Sequence, residues 1–122
     1  MQRLFALRGA SSVTANEPDA IREATEELLR ELMDRNDLAV DACVSCIFTL
    51  TEDLDAAFPA AAARGLGFER VPLLCSREIP VPGALPSVVR VLVHYYAEEG
   101  HVAQHVYLGA AQSLRTDLQS AQ

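Results

Sequence analysis

One run, residues 88–97, sets the tightest limit on how this chain folds. Read as a strand, it points Val89, Val91, Val93 and Tyr95 to one side and Arg90, Leu92, His94 and Tyr96 to the other. Both sides carry apolar bulk, so both need cover. The rest of the chain offers one long helix. Ile21, Ala24, Leu28 and Leu32 recur at helical spacing, with Leu29 and Met33 widening the stripe. The opposite face holds Arg22, Glu23, Glu26, Glu27, Arg30 and Glu31, which reads as a solvated surface without a function. The pattern predicts a helix over residues 17–35, with Thr14 or Asn16 as its N-cap and Pro18 in the first turn. One helix covers one face of a sheet. The economical cover for the second face is another copy of the same chain, so a homo-oligomer with packed sheets is expected.

The remaining elements are short. Residues 3–8 read as a strand ending at Gly9, and residues 40–50 as a second. A short helix opens at Pro59 and stops at Gly65. Residues 70–76 form a third strand, closed by a rigid turn from Ile79 to Gly83 that contains two prolines. Residues 88–97 are the fourth strand and residues 105–108 the fifth. The order β-α-β-(short α)-β-β-β predicts an α+β fold, one five-stranded mixed sheet with a single major helix, in one domain spanning residues 1–122.

Composition excludes several function classes. The net charge of −7 argues against a bulk electrostatic grip on nucleic acid. All the basic side chains are arginine, and the absence of lysine removes Schiff-base and Walker-type phosphate chemistry. No apolar run approaches a membrane span. The opening residues lack the pattern of a secretory leader, so a cytoplasmic protein is expected. Cys43, Cys46 and Cys75 make no disulfide framework. Cys43 and Cys46 have CxxC spacing but lie inside an apolar strand with no second pair, and they read as buried small residues. His94, His101 and His105 are too irregularly spaced for a metal site and read as structural.

Candidate chemistry gathers around the strand ends. Arg90 sits inside a strand among apolar neighbours, and arginine is almost never fully buried without a partner. It is either paired with a carboxylate at a subunit contact or a fixed guanidinium facing an anionic ligand. Cys75 and Glu78 lie where the third strand enters the proline turn. Residues three apart on a strand face opposite sides, so these two share a site only if the backbone turns between them. Arg8 precedes Gly9 at a strand end, as a ligand contact or a surface charge.

Several segments carry a family resemblance. They are Leu7-Arg8-Gly9-Ala10-Ser11-Ser12-Val13, the stretch from Asp53 through Phe58-Pro59 to Arg64, and Val71-Pro72-Leu73-Leu74-Cys75-Ser76-Arg77-Glu78. Arg90-Val91, His105-Val106-Tyr107-Leu108 and Leu114-Arg115-Thr116-Asp117-Leu118 follow in the same order. Together they resemble the small monofunctional chorismate mutases of the AroH class over nearly the whole chain. The resemblance implies a homotrimer whose sheets build a barrel-like core, with active sites in clefts between subunits. It implies rearrangement of the dianion chorismate to prephenate, on the way to phenylalanine and tyrosine, without cofactor or metal.

Position by position, the resemblance gives Arg90 contact with the ether oxygen and a carboxylate. It makes Arg8 and Tyr107 carboxylate ligands, and Glu78 and Cys75 partners of the ring hydroxyl. Phe58, Ala60 and Arg64 would come from the adjacent subunit, Leu74 would line the site by its backbone, and Leu114 and Arg115 would lie in a mobile tail from about residue 112. The family often has lysine at Ala61 and a small polar residue at Leu74, which bears on the rim and on affinity. A RidA-like imine deaminase and a non-catalytic trimeric metabolite-binding regulator are the alternative readings.

Overall fold

The helix forms where its apolar stripe predicts. The computed structural model describes residues 1–114 and places helix α1 at Pro18–Arg35. Ile21, Leu28, Leu29 and Leu32 are buried, each contributing roughly 1.5–3 kcal/mol of transfer free energy. Thr25 is buried with them because its hydroxyl donates to the Ile21 carbonyl at 2.7 Å, one turn back. The outer face pairs with itself: Arg22 with Asp19 and Glu26, Arg30 with Glu26, Arg35 with Glu31. The N-cap differs from expectation. Glu17 takes that place without a side-chain bond, and Asn16 is used elsewhere. The Asn16 side-chain oxygen accepts from the Asp55 and Ala56 amides and its nitrogen donates to the Asp55 carboxylate, tying the helix entry to a distant loop.

Five strands make one mixed sheet. They are β1 (Gln2–Ser12), β2 (Cys43–Leu50), β3 (Leu73–Arg77), β4 (Val88–Glu98) and β5 (Val106–Leu108). Their order across the sheet is β3-β2-β4-β1-β5. β4 runs antiparallel to β1 and β2, while β3 and β5 lie parallel to their neighbours at the two edges. The short helix α2 (Ala60–Gly65) packs between α1 and β3, with Pro59 just before its first residue.

Strand β1 does not stop at Gly9 but runs three residues further. Glycine serves close packing here. A Cβ at Gly9 would lie 2.9 Å from a Leu32 methyl and 3.0 Å from a Leu28 methyl, so α1 rests directly on the strand. In β2, a register shift between Cys43 and Ser45 puts both Cys43 and Cys46 opposite buried residues of β4, Tyr95 and Val93. Burial pushes the Cys43 thiol up to about 11 and that of Cys46 to about 12. Both act as small apolar fillers, as read from the sequence.

The alternation along β4 is as the sequence predicts. Val89, Val91, Val93 and Tyr95 are buried under α1, whereas Arg90, Leu92 and His94 are partly exposed and Tyr96 more so. The outer face carries exposed Leu4, Leu74 and Tyr96. Among the described residues, the turn Gly109–Gln112 covers only the end of this face, over Ala10 and Val88, and no helix covers the rest. No helix among them is long and apolar enough to cross a membrane.

Two side chains fix β5, the strand that carries Tyr107. Buried Asn36 accepts from the Gln104 amide at 2.7 Å and donates to the carbonyls of Leu32 and Gln104. His105 Nδ1 accepts from the Arg8 amide at 3.0 Å. Desolvation, then the nearby Arg8 charge, lowers the His105 pKa below its ordinary 6.5. The folded state therefore favours neutral His105, and the unfolded chain binds the extra proton first. Stability falls as pH drops below about 6.5. A His105→Gln variant, which keeps an acceptor but does not titrate, should show a shallower loss of urea midpoint between neutral and mildly acid pH. An identical slope in both proteins would contradict this.

Candidate active site

Four strands converge on one cleft of about 240 Å³ on the bare face of the sheet. Its walls include Arg8 and Ala10 of β1, Ile47 and Thr49 of β2, Arg90 and Leu92 of β4, and Tyr107 of β5. Glu78, one residue past β3, completes it. The register explains the gathering. Ala10 pairs with both Arg90 and Tyr107, Thr49 pairs with Arg90, and Arg8 and Ile47 both pair with Leu92. Laterally paired residues point to the same side, so these side chains share the outer face.

Arg90 and Glu78 form the polar centre. Arg90 Nε lies 3.5 Å from Glu78 Oε1, and the Thr49 hydroxyl donates to Glu78 Oε2. Arg90 is thus paired with a carboxylate of its own chain and also lines a cavity. Arg90 Nε is also the one buried side-chain nitrogen or oxygen among the described residues without a hydrogen bond. A buried donor left unmade costs about 1–3 kcal/mol, so this one is poised for an acceptor. Among the described residues, two guanidiniums and one carboxylate line the cleft, inside a chain of net charge −7. That balance suits an anion.

The structure brings Arg8, Glu78, Arg90 and Tyr107 together and places the other candidates apart. β3 pairs with β2 in an unbroken register from Leu73 to Arg77, so Cys75 falls on the helix side of the sheet, opposite buried Phe48. The backbone makes no turn between Cys75 and Glu78 that would join them. Cys75 instead lines a second cavity of about 430 Å³ with Phe58 and Pro59. Phe58 is 74% exposed, Ala60 is buried, and Arg64 is exposed at the end of α2. Leu74 projects to the bare face. Leu114 packs against the small cluster of Ala10, Val88 and Ala111 beside the cleft. Arg115 and the rest of the expected mobile tail lie outside the described residues.

Thr49 escaped the sequence reading, although a lone threonine inside an apolar strand is a visible signal. Asp53 is the other omission. Its carboxylate accepts from the Ser87 amide at 3.2 Å and the Ser87 hydroxyl at 2.6 Å, and these bonds hold it below the usual carboxylate range. Ser87 adopts a left-handed φ of 56° just before β4, and this clamp secures the approach to Arg90.

The chain has clear relatives among known proteins. Residues 4–118 match the family model described as chorismate mutase type I. The chain is 48% identical over 118 residues to chorismate mutase AroH of Thermus thermophilus, covering 95% of this chain and 97% of that protein. It is 33% identical over 114 residues to chorismate mutase AroH of Bacillus subtilis strain 168, covering 92% and 90%. A solved chorismate mutase from Clostridium thermocellum superposes with a TM-score of 0.84 at 43% identity, covering 89% of this chain and 98% of that one. A cleft built for an anion on the bare face of this sheet thus stands in a chain that belongs to the chorismate mutase type I family.

Proposed function

We propose that this chorismate mutase rearranges chorismate to prephenate in the cleft of Arg8, Glu78, Arg90 and Tyr107. The observation that carries the assignment is Arg90, a strand-held guanidinium whose Nε has no hydrogen-bonded acceptor and which forms part of the cleft wall. The family match leaves the imine-deaminase and non-catalytic readings without support.

The reaction breaks one C–O bond and forms one C–C bond within a single molecule, so no proton need move through the protein. Negative charge grows on the ether oxygen as its bond to carbon lengthens. A donor aimed at that oxygen binds it more strongly in the transition state than in the ground state, which is what lowers the barrier. Arg90 is that donor. Glu78 accepts from the ring hydroxyl, and Arg8 and Tyr107 hold a carboxylate. An acceleration at the lower end of enzymatic values needs about 8 kcal/mol. One preorganised donor in a dry site supplies about 2.7–4 kcal/mol. Arg90 alone falls short, and holding the substrate in its compact reactive shape contributes the rest.

The cleft of one chain is smaller than the roughly 300–1,000 Å³ of ordinary ligand pockets. Exposed Leu4, Leu74 and Tyr96 on the same bare face favour a homotrimer in which neighbouring sheets cover one another. Phe58, Ala60, Arg64 and Cys75 then contribute across a subunit boundary, with Leu114 beside the cleft.

Purified protein should consume chorismate, seen as loss of its ultraviolet absorbance, and an inert protein would refute the assignment. Arg90→Lys should lower kcat by at least 100-fold, since a point charge lacks the planar fork and about 2.7 kcal/mol of donor stabilisation corresponds to that factor. Near-normal turnover would remove Arg90 from its role. Cys75→Ser should keep substantial activity because the thiol faces the helix side of its own sheet. Complete inactivation in a folded protein would point to a direct role for that sulfur.

A further inference from the structure

We infer that Thr49 is a positioning residue that aims the Glu78 carboxylate, an inference that rests on the role of Glu78 in the cleft given above. Glu78 stands at a vulnerable place. It lies one residue beyond the end of β3, where its amide makes a last ladder-like bond to the Leu50 carbonyl at 3.0 Å. The chain then leaves the sheet through Ile79, which is 80% exposed, into a segment with prolines at 80, 82 and 86. A glutamate side chain at such an exit has three freely rotating bonds and open solvent nearby.

Thr49 removes that freedom. It lies on β2 as the direct ladder partner of Arg90, so its side chain projects from the same face at the same height. Its hydroxyl donates to Glu78 Oε2, leaving Oε1 beside Arg90 Nε. Each carboxylate oxygen thereby has one neighbour. This arrangement has two consequences. The carboxylate stays within the cleft, where it meets a substrate hydroxyl. One of its oxygens is also kept away from Arg90, so the pair does not close into a two-bond fork that would occupy the donor needed by the ether oxygen. Thr49 need not touch substrate for either effect.

The test is a double-mutant cycle on chorismate turnover. Thr49→Val keeps the shape and removes the hydroxyl, and Thr49→Ala is a second route to the same loss. Each should lower kcat/KM by about tenfold, the low end for a hydrogen bond to a charged group. Thr49→Ser, which restores the donor, should recover most of that loss. In a Glu78→Ala background, Thr49→Val should change kcat/KM by less than about twofold, because the group it positions is gone. A wild-type rate in Thr49→Val, or an equal loss in both backgrounds, overturns the inference while the cleft assignment stands. Wild-type protein that leaves chorismate unchanged overturns the cleft assignment, and the role of Thr49 with it.

Discussion

A helix of 18 residues lies across one side of a five-stranded sheet, and among the described residues no such helix lies on the opposite side. That imbalance governs the rest of the structure. On the covered side, Val89, Val91, Val93 and Tyr95 meet Ile21, Leu28 and Leu32, and Gly9 lets helix and strand approach closely. On the bare side, the same strand must present Arg90, Leu92 and His94. A strand in the middle of a sheet is among the stiffest platforms a protein has. A guanidinium carried there is held in direction before any ligand arrives, which is the condition for electrostatic catalysis without reorganisation.

Charge placement follows the same division. Part of the acidic surplus lies on the outer face of α1, where carboxylates and arginines pair along the helix. The cleft reverses that sign with Arg8 and Arg90 against Glu78. In the function proposed above, that arrangement draws a dianion to one spot on a negatively charged molecule, and Glu78 sets the polarity within it. The protein needs little else. Its three histidines are engaged in structural bonds, with Ser45, Tyr95 and the Arg8 amide.

Much of this was legible from residue pattern alone. Period-3.6 burial marked α1 to within a residue, and period-2 alternation in β4 exposed the uncovered face. The errors have physical causes. Gly9 looked like a strand end because glycine usually interrupts strands, whereas here it makes room for two leucine side chains. Asn16 looked like a cap because local sequence does not show that Asp55 and Ala56 compete for its side chain. The turn that would have joined Cys75 to Glu78 within one chain is absent because β3 supplies an unbroken ladder, which leaves Cys75 a proposed contributor across a subunit boundary. Thr49 stood out in its apolar strand, but its pairing to Arg90 some forty positions away is a matter of sheet register that local sequence does not show. The family resemblance, not periodicity, identified Arg8, Glu78 and Tyr107 as companions of Arg90, and the sheet register explains why they meet.

The central claim is that Arg90 meets the breaking C–O bond. A crystal structure with a bicyclic diacid that mimics the rearranging substrate tests it most directly. The account predicts the bridging ether oxygen within about 2.7–3.2 Å of an Arg90 guanidinium nitrogen, with the ring hydroxyl on Glu78. A diacid bound in that cleft with Arg90 closed onto Glu78 and no contact to the ether oxygen would contradict it.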